Sequence, residues 1–198
     1  MKRRQFIKTG LITSSLPLAG SLLWANSMNQ KTKKGDPFNL LYAPHFGMFT
    51  HHSGKDLIDQ IQFMYDQGFR SLEDNGMKDR PLSDQERIAK KMNQLDMTMG
   101  VFVAHKIYWN KPNLASGYKD LQNEFVDHIR ESIEVAKRVN AKWMTVVPGH
   151  VDLGQEMGYQ TAHVVEALRR ASTILEPHGL IMVLEPLNWW SNLSLIHI

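Results

Sequence analysis

The sequence predicts an α/β protein of the (β/α)8 TIM-barrel type, with about the first five strands and four helices of such a barrel present. Three observations carry this. From Phe38 onward, short apolar runs alternate with longer amphipathic stretches, which is the pattern of successive βα units around a parallel sheet. No run leads into a G-x-G-x-x-G or Walker-type glycine loop, so the dinucleotide-binding and phosphate-binding open sheets lose their main support. Nearly every run is also followed by polar residues, and in a barrel the reactive groups lie on the loops after the strands.

Taken in order, the strands fall at 39–43, 70–73, 98–104, 143–148 and 180–185. Each is mostly apolar, as a strand covered on both faces must be. The first helix has Ser53 at a plausible N-cap with Asp56 three residues on. Leu57, Ile58, Ile61, Met64 and Tyr65 share one face, and Gly68 stands past its end. The second begins at Ser83, with Glu86 completing a capping box, and turns Ile88, Met92 and Leu95 inward. The third runs over 118–140, its stripe marked by Leu121, Phe125, Ile129, Ile133, Ala136 and Val139. The fourth starts near Tyr159 and places Val164, Val165, Leu168, Ala171 and Leu175 inward before Glu176-Pro177-His178-Gly179 stops it.

The N-terminus has a different design. Lys2, Arg3 and Arg4 lead through Phe6-Ile7-Lys8 into an apolar run from Leu11 to Trp24. The paired arginines resemble the twin-arginine export motif of bacteria, which predicts an exported, periplasmic protein that meets the membrane only in transit. A permanent anchor is the alternative, but Ser14, Ser15, Pro17 and Gly20 interrupt a run already short of the roughly 20 residues a span needs. Residues 1–34 are therefore expected to be signal and linker. They hold seven of the 23 basic residues and no acid, which leaves 16 Lys and Arg against 20 Asp and Glu, so the body carries about −4. The basic excess of the whole chain is thus no sign of a nucleic-acid partner. The absence of cysteine excludes disulfides, thiolate metal sites and a cysteine nucleophile.

The residues that follow the strands are His45, His51 and His52 after the first, Glu73-Asp74-Asn75 after the second and His105-Lys106 after the third. His150 and Asp152 follow the fourth, and Glu185 and Asn188 the fifth. Glu185 stands out because it closes the run Leu180-Ile181-Met182-Val183-Leu184, where a charged group would point into a barrel mouth. An unpaired carboxylate there is costly, so a cation or hydrogen-bond donors must accompany it. A neighbouring lysine or backbone amides would satisfy it equally well.

Leu184-Glu185-Pro186-Leu187-Asn188 resembles the fifth-strand motif of hydroxypyruvate isomerases and related sugar isomerases and epimerases, the xylose-isomerase-like TIM-barrel superfamily. Gly68-Phe69-Arg70-Ser71-Leu72-Glu73 looks like the second strand of these proteins, and Val146-Val147-Pro148-Gly149 like the end of the fourth. The resemblance covers about 38–190. It implies an intramolecular oxidoreductase that moves a proton alpha to a carbonyl through an enediolate, with a divalent metal, Mg²⁺, Mn²⁺ or Zn²⁺, polarising both substrate oxygens. The substrate would be a small sugar or hydroxy-keto acid, and a homo-oligomer is compatible with the family.

By the same resemblance Glu185 is a metal ligand and one of two acid/base carboxylates, and Glu73 a substrate contact. His105 and Lys106 would flank the sugar. His150, whose spacing to Asp152 also suits a metal pair, would serve as substrate contact or loop packing, and Asn188, after the fifth strand, as a substrate contact. His51 and His52 are expected in a solvated loop or lid tip, and Trp189 and Trp190 could stack on a sugar face. Other readings are a metal-dependent apurinic-site endonuclease, which the −4 body and the export signal oppose, and a secreted carbohydrate-binding barrel without catalysis. A full barrel commonly needs about 250 residues, so 35–190 is expected to be a partial domain and 191–198 a non-native or truncated tail. The fragment alone is expected to be inactive and prone to association through its unpaired edges.

Overall fold

The computed structural model describes residues 35–187. The predicted signal segment 1–34, Asn188, Trp189, Trp190 and the tail 191–198 lie outside the described residues. The helices are α1 (Thr50–Ser53), α2 (Leu57–Asp66), α3 (Leu82–Gln94), α4 (Lys119–Val139) and α5 (Met157–Leu175). Between them stand β1 (Ser71–Leu72), β2 (Thr98–Met99), β3 (Trp143–Val146) and β4 (Ile181–Leu184).

Every pairing is parallel and sequential. β1 pairs with β2, and β3 with β4 in the register Trp143 to Ile181 through Val146 to Leu184. A bridge between Val103 and Thr145 joins the two pairs, with Ala104 donating to the Thr145 carbonyl at 3.0 Å and Thr145 to that of Phe102 at 2.8 Å. On the other side His45 bridges to Glu73, whose N–H donates to the Pro44 carbonyl at 3.2 Å. The chain thus adds one parallel segment after another in sequence order with a helix between most neighbours, as in a TIM barrel. Among the described residues the sheet does not close.

The predicted first strand is corrected by the structure: 39–43 is not a strand. Tyr42 donates back to Leu40 at 3.0 Å, Pro44 has no N–H to give, and only the bridge at His45 joins the sheet. The other strands are shorter than expected, because ladder pairing stops where the loops turn away.

Local chemistry explains the helix starts. Asp56, not Ser53, caps α2, its carboxylate accepting from the N–H groups of Ile58 at 2.8 Å and Asp59 at 3.3 Å. Ser53 instead closes α1, donating to the Phe49 carbonyl. α1 carries His51 and His52, so these are not in a loop, and His52 stacks on Phe63. α3 starts after Pro81 with no side-chain cap, so the expected Ser83–Glu86 capping box does not form. α4 matches its expected span and ends on Asn140 in the left-handed conformation (φ 53°).

The core lies between sheet and helices. Ile61 and Met64 of α2, Ile88 and Met92 of α3, Phe125 and Ile129 of α4 and Val164 and Ala171 of α5 pack against Leu72, Met99, Phe102 and Met144. β4 is different, with Ile181, Val183 and Leu184 each 40% or more exposed.

Candidate active site

The strand ends present His45 and Glu73 side by side, and their side chains meet: His45 Nε2 lies 2.6 Å from Glu73 Oε1. The main-chain bridge at the same two residues fixes this, since neighbouring parallel positions hold their side chains on one face. Both remain partly open to solvent. An imidazole paired with a carboxylate can hold or pass a proton, or bond a substrate hydroxyl. The next residue serves the fold instead. Asp74 is buried and binds Arg80 at 2.5 Å, while the Arg80 guanidinium sits over the Phe46 ring.

His105, expected to flank a sugar, is buried at the strand ends, where it and Lys106 line a cleft. It is 5% exposed and meets Phe125 edge to face. The Val147 N–H donates to its Nε2 at 3.1 Å, and its Nδ1 lies 2.9 Å from the Lys106 carbonyl, so both nitrogens are held by main chain. That arrangement needs the neutral ring with its proton on Nδ1. Burial pushes the pKa down to about 4, the two backbone bonds opposing it only in part. Lys106 is exposed, its ammonium 4.7 Å from the centre of the Tyr108 ring.

After β3 the loop holds His150, whose Nδ1 is buried without a hydrogen-bond partner. Asn113 Oδ1 is also buried and unbonded, and it sits against Gly149, where an added Cβ would lie 2.2 Å from it. Gly149 (φ 105°) is therefore required both for its backbone turn and for this close approach. Asp152 turns into its own loop, accepting from the Gly154 N–H at 2.9 Å and the Gln155 amide at 2.9 Å. Those bonds, the Gly154 one foremost, hold its carboxyl below the usual range, and they make a His150–Asp152 metal pair a poor reading.

Glu185 follows β4, and its N–H donates to the Val146 carbonyl at 3.0 Å. Its side chain is exposed rather than enclosed by a barrel mouth, because among the described residues no strand lies beyond β4. Among the described residues no three His, Asp or Glu side chains converge to hold a metal ion. Asn188 lies outside the described residues.

A repeated device, unread in the sequence, fixes these loops. The fourth residue of α2, α3, α4 and α5 is glutamine each time (Gln60, Gln85, Gln122, Gln160), and each is 4% exposed or less. Gln60 accepts from Gly47 N–H at 2.7 Å and donates to the Lys55 carbonyl. Gln85 donates to the Arg80 carbonyl at 2.9 Å. Gln160 accepts from Asp152 N–H at 2.7 Å and donates to the carbonyls of Asp152 and Gln155. Three of the four thus tie a helix to the loop before it. Gln122 reaches the His163 carbonyl in α5 instead. The available signal was a glutamine recurring on the otherwise apolar buried stripe.

Residues 58–197 match the family model of the xylose isomerase-like TIM barrel. The chain belongs to that family. No curated protein sequence matches it. Among solved structures, a family 2 AP endonuclease from Brucella melitensis aligns with a TM-score of 0.58 at 18% identity, over 74% of this chain and 55% of the other. A 3-keto-D-glucoside 4-epimerase from E. coli aligns at 0.59 and 13%, over 75% and 57%. The IolI protein, crystallised with a zinc atom, aligns at 0.55 and 17%, over 74% and 52%. The chain therefore spans little more than half the length of these solved structures, and at such identities the likeness is one of fold.

Proposed function

We propose that the whole protein is a metal-dependent isomerase or epimerase of a small sugar or hydroxy-keto acid, removing the proton alpha to a carbonyl to give an enediolate and returning it to the adjacent carbon (isomerisation) or to the opposite face of the same carbon (epimerisation). The reading is carried by Glu185, which follows the last of the sequential parallel strands within Leu184-Glu185-Pro186-Leu187-Asn188. Its carboxylate has the chemistry to supply one oxygen to a divalent cation, and among the described residues no group of three such side chains converges. A bound cation would supply the Lewis acidity that stabilises charge on the substrate oxygens.

The chain's own part is to move the proton and hold the substrate. Glu185 takes the proton alpha to the carbonyl. The His45–Glu73 pair, held together at 2.6 Å, hydrogen-bonds a substrate hydroxyl and fixes its orientation. The net −4 of the body disfavours a phosphodiester substrate, whose approach it would repel.

The test is α-proton exchange into D₂O, followed by NMR on the whole protein with hydroxypyruvate and small ketoses. Glu185→Gln keeps the shape but removes base and ligand charge, and should lower the rate by about 10²-fold or more. Exchange that survives both this substitution and exhaustive chelation would sink the assignment.

A further inference from the structure

Beside the strand ends a cleft of about 500 Å³ opens between the turn 77–79, the loop 103–109 and α4. Glu73, His150 and Glu185 do not line it. Its chemistry is mixed. Trp109, 58% exposed, offers an indole at one wall. Lys78 and Lys106 bring two positive charges, and Asp79 and Glu131 two negative ones. His128 completes the polar lining and accepts from the Lys106 N–H at Nδ1. Its pKa is lowered first by burial and next by Lys78, so it adds no charge near neutrality.

We propose that this cleft is a carbohydrate subsite, which takes a neutral sugar ring lying outside the reacting one. The volume is that of a small-molecule pocket. An exposed aromatic face beside interleaved donors and acceptors suits a ring that is apolar on its C–H faces and hydroxylated at its rim. The charges discriminate further. The Lys78 ammonium is already committed to the Glu131 carboxylate at 3.0 Å and to the carbonyls of Ala104 and His128. An anionic ligand would find Lys106 as its one uncommitted ammonium in the cleft, with Asp79 in the same lining. A neutral saccharide meets no such opposition. The substrate of the proposed reaction would then be a glycoside or disaccharide rather than a single sugar.

That extension rests on the isomerase reading, but its test does not. The 198-residue chain is titrated in EDTA with maltose, with cellobiose and with glucose 6-phosphate, and binding is followed by saturation-transfer NMR and calorimetry. Saturable binding of a neutral disaccharide is expected. Trp109→Ala should weaken it by about tenfold, and Trp109→Phe, which restores an aromatic face, should recover most of the loss. Because Trp109 is mostly exposed, both variants should keep the parent circular dichroism. The subsite is overturned if neither disaccharide binds, if Trp109→Ala binds like the parent, or if only glucose 6-phosphate binds. Loss of the exchange reaction with disaccharide binding intact would remove the isomerase reading and leave the subsite.

Discussion

Because both ring nitrogens of His105 are bonded to main-chain groups, one beyond β3 and one in its own loop, protonating the ring would break the bond from Val147 and charge a buried group. The folded pKa is about 4 against an ordinary 6.5, so between these values the unfolded chain takes up a proton that the folded one does not. Stability from this residue is therefore complete above about pH 6.5 and falls as the pH drops toward 4, by up to roughly 3 kcal/mol. Urea unfolding across that range should show the loss. His105→Gln cannot titrate and should flatten it, even at a lower overall stability. If both proteins lose stability in parallel, the acid sensitivity lies elsewhere. The sequence placed this histidine after a strand but could not reveal its role. Its partners, Lys106 and Val147, are main-chain groups whose positions depend on how two loops pack.

At the scale of the element, α4 was legible almost to the residue, because 21 residues of unbroken apolar stripe leave little freedom. The starts of α2 and α3 were not. Ser53 and Asp56 both have capping chemistry, and only the turn of α1 decides that Asp56 is used. Pro81, with φ fixed near −51°, starts α3 ahead of Ser83. The fourth-position glutamines were missed because their partners are backbone groups of loops, which have no sequence signature. Gln160→Leu keeps the bulk and leaves the Asp152 N–H and the carbonyls of Asp152 and Gln155 without this partner. It should cost about 1–3 kcal/mol in chemical denaturation. A loss below about 0.5 kcal/mol would mean that water replaces the amide at little cost.

For the whole molecule, the order of strands was readable from the spacing of apolar runs, whereas the His45–Glu73 contact was not. It joins residues 28 positions apart whose register is set by a main-chain bridge. The exposed face of β4 was legible as well, since a partial barrel leaves its fifth strand without the next neighbour. Ile181, Val183 and Leu184 stand open on a strand whose one pairing among the described residues is with β3. Such an edge invites pairing with another copy. The 198-residue chain should associate in a concentration-dependent way in sedimentation velocity, and Val183→Lys should shift it toward monomer. Unchanged association in that variant would place the contact elsewhere.

The buried glutamines bear on motion as well. The N–H groups of Gly47 and Asp152 belong to loops, yet each is bonded to a buried glutamine amide in the first turn of a helix, α2 for Gly47 and α5 for Asp152. Exchange of those two protons with solvent requires these bonds to break, so it should be slower than in free surface chain. The anchors are amides and main-chain groups, so a change of pH leaves these ties in place.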